Sequence, residues 1–275
     1  METKQLVLMH KHWFAMGILC LILVMGLSGC IGQTGATEEF RETYDVDAGT
    51  VLQVDNINGD ITVTKWDNDQ VEVYALKRAF VDESDLDKVS IEVSTGNVMV
   101  VKTKYAVPTE DIEVSVAYTI KVPADVNVEL LGNTNGRISL EGTTGDAMLT
   151  NTNGDVSVKN VDGSVFVTNT NGKIDIVDVT GVLGAMTTNG DVTVELPALS
   201  SDVIIGTTNG KVKVYIPDDL DADVKMTTSN GEVTVHDIQL TIMEQSEIKV
   251  EGTMGDGGFD LIITSTNGDI DLYKL

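Results

Sequence analysis

Apolar and polar positions alternate with a period of two over short stretches, and after an Asn-Gly pair the same alternation restarts eight times. Asn153-Gly154-Asp155-Val156-Ser157-Val158 is one copy, and the others begin at Asn58, Asn135, Asn171, Asn189, Asn209, Asn230 and Asn267. All sixteen aliphatic positions of these copies are Ile, Val or Leu, each worth about 1.5–3 kcal/mol when fully buried. A period of two is that of a half-buried strand. Asn and Gly accept positive φ, so each copy predicts a sharp corner entering a strand. A second strand precedes each corner, as in Ala147-Met148-Leu149, Val165-Phe166-Val167, Leu183-Gly184-Ala185, Val203-Ile204-Ile205 and Val224-Lys225-Met226. Its inward members lie six and four residues before the Asn.

From Gly136 to Gly231 the corner glycines are spaced 18, 18, 18, 20 and 21 residues apart, a period that indicates stacked repeat units. Asn-Gly is also a strong hairpin signal, so an antiparallel meander or sandwich is the competing fold. The residue after each corner separates the two. Arg137, Asp155, Lys173, Asp191, Lys211 and Glu232 alternate in sign. Stacked in parallel about 4.8 Å apart, each cation lies between carboxylates, whereas in a meander the spacing is about twice that and the attraction weak. The same stacking makes a ladder of corner Asn amides. The predicted fold is therefore all-β, a parallel solenoid of 18–21-residue rungs.

Insertions carrying Leu196-Pro197 and Ile216-Pro217, with a relative at Val122-Pro123, mark rung edges or loops, because proline cannot donate to a ladder. Residues 45–127 read as longer, less regular strands around the polar Asp82–Lys88, a short helical turn. The first corner precedes the second by 77 residues, close to four rungs, which suggests degenerate rungs from near Tyr44. Tyr273-Lys274-Leu275 is too short to cap the last rung, so the C-terminus is expected to leave an open sheet edge.

The first 29 residues stand outside this pattern. Lys4 and Lys11 precede an apolar run from Trp13 to Leu27, the length of a secretory h-region. The run ends in Leu27-Ser28-Gly29-Cys30, which resembles a lipobox, and that resemblance implies lipid attachment at Cys30 and a mature chain outside the cytoplasmic membrane. An uncleaved anchor helix over residues 13–31 is the alternative. Residues 30–44 read as a flexible tether and 45–275 as the repeat domain. Of 18 basic and 43 acidic residues, Lys4, Lys11 and Glu2 precede Cys30, leaving 16 against 42 and a net charge of −26. Such a surface repels nucleic acid and anionic headgroups. Beyond Cys30 there is no cysteine for an internal disulfide.

Catalytic signatures are scarce. His236 is the one histidine beyond the leader, with no cysteine to pair with and no G-x-S-x-G elbow. Gly252–Gly258 is glycine-rich but lacks the Lys-Ser/Thr of a phosphate loop and reads as a bend. Asp218, Asp219, Asp221 and Asp223 are the candidate metal ligands, offering hard oxygens to Ca²⁺ or carboxylates to a polysaccharide-cleaving site; the plainer reading is a solvated acidic loop. Calcium-binding nonapeptide solenoids are disfavoured, because Arg137, Lys173 and Lys211 occupy alternate corners. Trp66 is the best single aromatic for a contact, and is otherwise a cap over the core end.

The Asn-Gly-Asp strands, the Val/Leu/Ile-Pro insertions and the closing Gly257–Leu261 and Ser265–Ile270 stretches resemble the putative-adhesin family of prokaryotic β-strand-repeat surface proteins, a domain of unknown function. The resemblance spans roughly residues 45–275. It implies a right-handed β-solenoid and a surface binding role, and carries over no functional residue or cofactor. The reading is a lipid-anchored, non-catalytic binding, adhesion or scaffolding module of the cell envelope, with an envelope protein or surface glycan as partner. Its contact surface would be the outward ladder of Thr62, Ser139, Ser157, Asp175, Thr193 and Lys213. An envelope polysaccharide lyase or hydrolase using Asp218–Asp223 and a stress-sensing regulatory lipoprotein are the alternatives.

Overall fold

The computed structural model describes residues 35–106 and 112–275; the leader and Cys30 lie outside them. Each repeat places one strand before the corner and one after it, and both pair in parallel with their equivalents in the next rung. Val156, Ser157 and Val158, for example, stand opposite Ile138, Ser139 and Leu140 on one side. On the other they meet Ile174, Asp175 and Ile176. Parallel, in-register pairing rules out the meander, and the chain forms a parallel β-solenoid. Inward residues of both strands, such as Val156, Val158, Val165 and Val167, join one buried apolar core. In four rungs a second corner two residues after the post-corner aliphatic pair carries positive φ, at Gly142 (71°), Asn160 (52°), Asp178 (52°) and Asp237 (55°). These residue types enter the left-handed region at least cost.

One inward assignment differs. Leu183 is 42% exposed, and Val182 takes its place in the core. The register slips by one residue between Val165 and Phe166, whose partners are Val182 and Gly184. The extra residue of a bulge is pushed out of the alternation.

The order of the rungs in space departs from the order in sequence at both ends. The Asn58 rung stacks directly on the Asn135 rung, with Asn58 bridged to Asn135 and Ile61 opposite Ile138. Residues 66–126 therefore do not form four degenerate rungs. Two strands among them, Val98–Tyr105 and Val114–Val122, make a single rung on the outer side of the Asn58 rung. At the other end the last rung to be synthesised is not the last in the stack. Val203–Asn209 pairs with Leu261–Asn267, which pairs in turn with Val224–Asn230. The C-terminal segment is thus inserted between the Asn209 and Asn230 rungs, and the open C-terminal edge expected from Tyr273–Leu275 does not exist there. The outermost pre-corner strand is Ala222–Asn230, covered by antiparallel Lys249–Met254 and Thr241–Gln245.

The N-terminal end is closed by antiparallel strands. Gln70–Ala79 pairs with Val114–Val122, and Thr37–Asp45 pairs with Gln70–Ala79. The flexible tether expected over 30–44 therefore gives way to a strand from Thr37, because Phe40 and Tyr44 alternate with polar neighbours and pack on the core. The polar stretch forms a 3₁₀ turn, Glu83–Lys88, with Asp82 as its N-cap. Lys77, 6% exposed, donates to Leu86 O and Val89 O, both at 3.0 Å, and holds that turn against the strands.

Inside this cap Thr103 Oγ1 lies 2.7 Å from the Tyr118 hydroxyl and donates to Asn56 Oδ1 at 2.8 Å. Burial pushes the Tyr118 hydroxyl up to about 12, only partly offset by Thr103. An unfolded tyrosine ionises near 10, so stability from the neutral phenol is complete below that pH and is lost as pH rises from 10 towards 12. We expect a loss of about 2–3 kcal/mol over that window, read as a falling urea midpoint between pH 9 and pH 11.5. Tyr118→Phe should remove this component of the slope, and an unchanged slope in the variant would contradict the assignment.

Candidate functional site

The corners carry the most regular chemistry in the molecule. Eight Asn side chains form one unbroken amide ladder: Asn135 Nδ2 donates to Asn58 Oδ1 at 2.7 Å, and Asn153, Asn171, Asn189, Asn209, Asn267 and Asn230 each donate to the previous member at 2.7–2.9 Å. Only the glycine of each pair turns over: seven of the eight corner glycines have φ between 114° and 156°, while none of these Asn residues has positive φ. The Asn is therefore selected for its amide rather than for its backbone.

A second polar column lies two residues earlier, and reasoning from the sequence did not single it out. Asn133 and Asn169 Nδ2, Thr207 and Thr228 Oγ1 and Ser265 Oγ donate to corner glycine carbonyls at 2.8–3.1 Å. These side chains are buried and satisfy carbonyls that the turn removes from the ladder. The sequence signal was present, since position −2 is always Asn, Thr or Ser.

In the charge column the alternation extends to Asp60 and then changes course at Lys211. Arg137 Nη2 lies 3.7 Å from Asp155 Oδ2, and Lys211 Nζ lies 2.7 Å from Asp269 Oδ2. Asp269 of the inserted rung thus takes the place expected for Glu232. The carboxylates also have a backbone role: Asp60, Asp155 and Asp191 Oδ1 accept from the amides of Arg137, Lys173 and Lys211 at 2.8–3.0 Å. The Lys211 hydrogen bond, followed by the Glu232 amide, holds the Asp269 carboxyl below the usual range.

Next to this column stand Ser139, Ser157, Asp175, Thr193 and Lys213, in register across five successive rungs. The two columns enclose an open trough of about 570 Å³. Its walls hold four cations, Arg137, Lys173, Lys211 and Lys213, against three carboxylates, Asp155, Asp175 and Asp191. Among the described residues Lys173 and Lys213 make no ion pair. Thr62 lies in the same column, opposite Ser139.

The family model described as Toastrack DUF4097 matches residues 43–273. The chain belongs to this family. A putative cell adhesion protein from Clostridium sporogenes is similar in structure, with 13% identity and a TM-score of 0.37 over 86% of this chain and 100% of its own. A putative adhesin from Bacteroides fragilis shows 9% identity and a TM-score of 0.37 over 88% and 100%. No curated protein matches.

Elsewhere in the Toastrack domain the acidic candidates are drawn to separate tasks. Asp218 pairs with Lys274, Asp221 Oδ1 accepts from the Asp256 amide at 2.9 Å, and Asp223 Oδ1 accepts from Thr253 Oγ1 at 2.9 Å. Asp219 is exposed. Among the described residues no three acidic, His or Cys side chains group to hold a metal ion. The glycine-rich bend falls at the end of Lys249–Met254, with positive φ at Gly255, Gly257 and Gly258. His236 Nε2 is 2.8 Å from Asp271 Oδ1, and its ring stacks on Tyr273, which stacks on Tyr215. These rings cover one another's faces, so Tyr273 has no free face for a ligand. Trp66 sits beside Lys121, whose Nζ is 5.2 Å from the ring, and its Nε1 donates to Gln70 O at 2.8 Å. No helix among the described residues is long and apolar enough to cross a membrane.

Proposed function

We propose that this Toastrack protein is a non-catalytic binding module, held outside the cytoplasmic membrane by lipid on Cys30, and that its ligand is an acidic surface glycan taken up in the trough. The observation that carries this reading is the inverted charge of the trough. A chain of net charge −25 has acid to spare, yet the lining of this trough holds more cations than carboxylates. The molecule's overall field is screened within about 8 Å at physiological salt, so an anionic group in the trough answers to its local charges, among which Lys173 and Lys213 are cations that make no ion pair among the described residues. Ser139, Ser157 and Thr193 add hydroxyls that both donate and accept, suited to sugar hydroxyls. The repeat of about 4.8 Å between rungs presents polar side chains at regular intervals along a polymer.

The test compares immobilised polygalacturonate with neutral dextran at 150 mM salt. The wild type should retain the polyuronate alone, and Lys173→Glu/Lys213→Glu should weaken that binding at least tenfold. Equal retention of dextran, or an unaffected variant, overturns the ligand class. In the same preparation from cells, mass spectrometry should find Cys30 acylated at the mature N-terminus; an intact 1–29 segment would put an uncleaved anchor in its place.

A further inference from the structure

On the other strand of each rung, the pre-corner strand, the outward face carries an apolar stripe that the polar character of the chain does not lead one to expect. Leu130, Met148, Phe166, Gly184, Ile204 and Ile262 stand opposite one another in six successive rungs. Met148 is 49% and Ile204 47% exposed, and the bulged Leu183 beside them is 42% exposed. The Phe166 ring lies over Gly184, where a methyl group would come within 2.8 Å of it, so the stripe has no gap at that rung. Contiguous exposed apolar surface of this kind marks an interaction site.

Charge decides what covers it. Exposed Asp146 and Asp202 border the stripe. Where it ends, with Lys225 opposite Ile262, the three carboxylates Asp223, Glu251 and Asp260 outnumber that one cation around a depression of about 220 Å³ that Met243 and Ile262 also line. A second copy brings another net charge of −25 to the contact, and anionic lipid is repelled by the same border. The complementary surface is apolar in its centre and basic at its margins. Six rungs at about 4.8 Å span roughly 24 Å, which at 1.5 Å per residue is the length of a helix of about 16 residues. The stripe runs across the strands, along the stacking direction, so it suits a helix lying on the sheet rather than a strand added to an edge.

We propose that this stripe docks a basic amphipathic helix, about four turns long, of a partner protein. The apolar face of the helix rests on Met148, Phe166 and Ile204, and its cations meet Asp146, Asp202 and Asp260. The inference is independent of the glycan reading, because stripe and trough belong to different strands of the rung and no residue is shared.

The probe is a 16-residue peptide with Leu on one helical face and Lys on the other, compared at 150 mM salt with the same peptide carrying Glu for Lys. The Lys peptide should bind and become helical on binding. Phe166→Ser/Ile204→Ser, which changes no charge, should weaken binding at least tenfold, whereas Lys173→Glu/Lys213→Glu should leave it at least as tight. On the wild-type protein, a photo-reactive leucine in the peptide should cross-link at or beside Leu130, Met148, Phe166, Leu183, Ile204 or Ile262, a readout that survives if the double variant does not fold. The proposal is overturned if the folded variant binds as the wild type does, if the Glu peptide binds equally, or if cross-links fall elsewhere. It is equally overturned if light scattering shows a dimer that the variant abolishes, or if the stripe inserts into anionic vesicles.

Discussion

A chain ending at residue 256 is expected to lose two rungs although it lacks only one. The missing segment carries Leu261, Ile263, Ile270 and Leu272, all fully buried and each worth about 1.5–3 kcal/mol. Among the described residues this segment is the only parallel neighbour that links Ala222–Asn230 and Val233–His236 to the rest of the stack. Without it the Asn209 and Asn230 rungs face a gap one strand wide. Stability in stacked repeats is a sum over neighbouring interfaces, and the Asn230 rung would retain only its antiparallel hairpin. Hydrogen exchange at Asp223, whose amide donates to Phe259 O at 3.1 Å, and at Lys225, Thr227 and Thr234, whose amides face the same missing segment, should therefore approach unprotected rates, while Val156 and Val192 stay protected. Stacking in sequence order makes the opposite forecast, with residues 222–236 still protected. Retained protection there would refute the insertion of the C-terminal rung.

Gly172→Ala is expected to cost more than about 4 kcal/mol, the range reserved for a specific backbone or packing defect. Gly172 has φ 135°, a conformation costing an alanine roughly 1–3 kcal/mol. A Cβ there would also lie 2.5 Å from the Gly154 carbonyl carbon and closer still to its oxygen. That carbonyl accepts from Asn169 Nδ2 at 2.8 Å, so it cannot withdraw without leaving a buried donor unpaired. Gly49→Ala is the control, since Gly49 has φ 81° and an added methyl group would meet nothing within 4 Å; it should cost about 1–2 kcal/mol. Urea denaturation of both variants separates backbone strain, which they share, from the rung contact, which only Gly172 has. Equal losses in the two variants would remove the stack from the explanation.

The corners were legible in the sequence because their causes are local and repeated. An apolar pair at period two after Asn-Gly, with a spacing near 18 residues, leaves few ways to bury sixteen aliphatic side chains. Charge alternation pointed to parallel stacking, and Arg137 beside Asp155 agrees with it. The Ser157 and Asp175 ladder was equally readable, since outward positions follow from inward ones. The column of Asn, Thr and Ser before each corner was legible in principle; its meaning emerges only once the glycine carbonyl is seen to need a donor. The strand at Thr37–Asp45 was hidden because it pairs with Gln70–Ala79, and antiparallel closure of an end leaves no periodic mark. Val182, buried where Leu183 was expected, shows the same limit: a one-residue slip depends on the neighbouring rung, not on the segment itself.

The sequence by itself determined the unit of this protein: a two-strand rung, its glycine corner, its buried aliphatic pairs and the residues its ladders present to solvent. Those properties depend on backbone conformation and side-chain alternation within some twenty residues, and they recur in each copy. Only the tertiary structure decided which rung neighbours which. Every Asn-Gly unit offers nearly the same edges to its neighbours, so local chemistry lets Lys211 accept either Glu232 or Asp269 as the carboxylate above it. Closure of the chain around the antiparallel hairpin at residues 241–254 chooses Asp269, and that choice sets the stack to which Ile262 adds the last member of the apolar stripe.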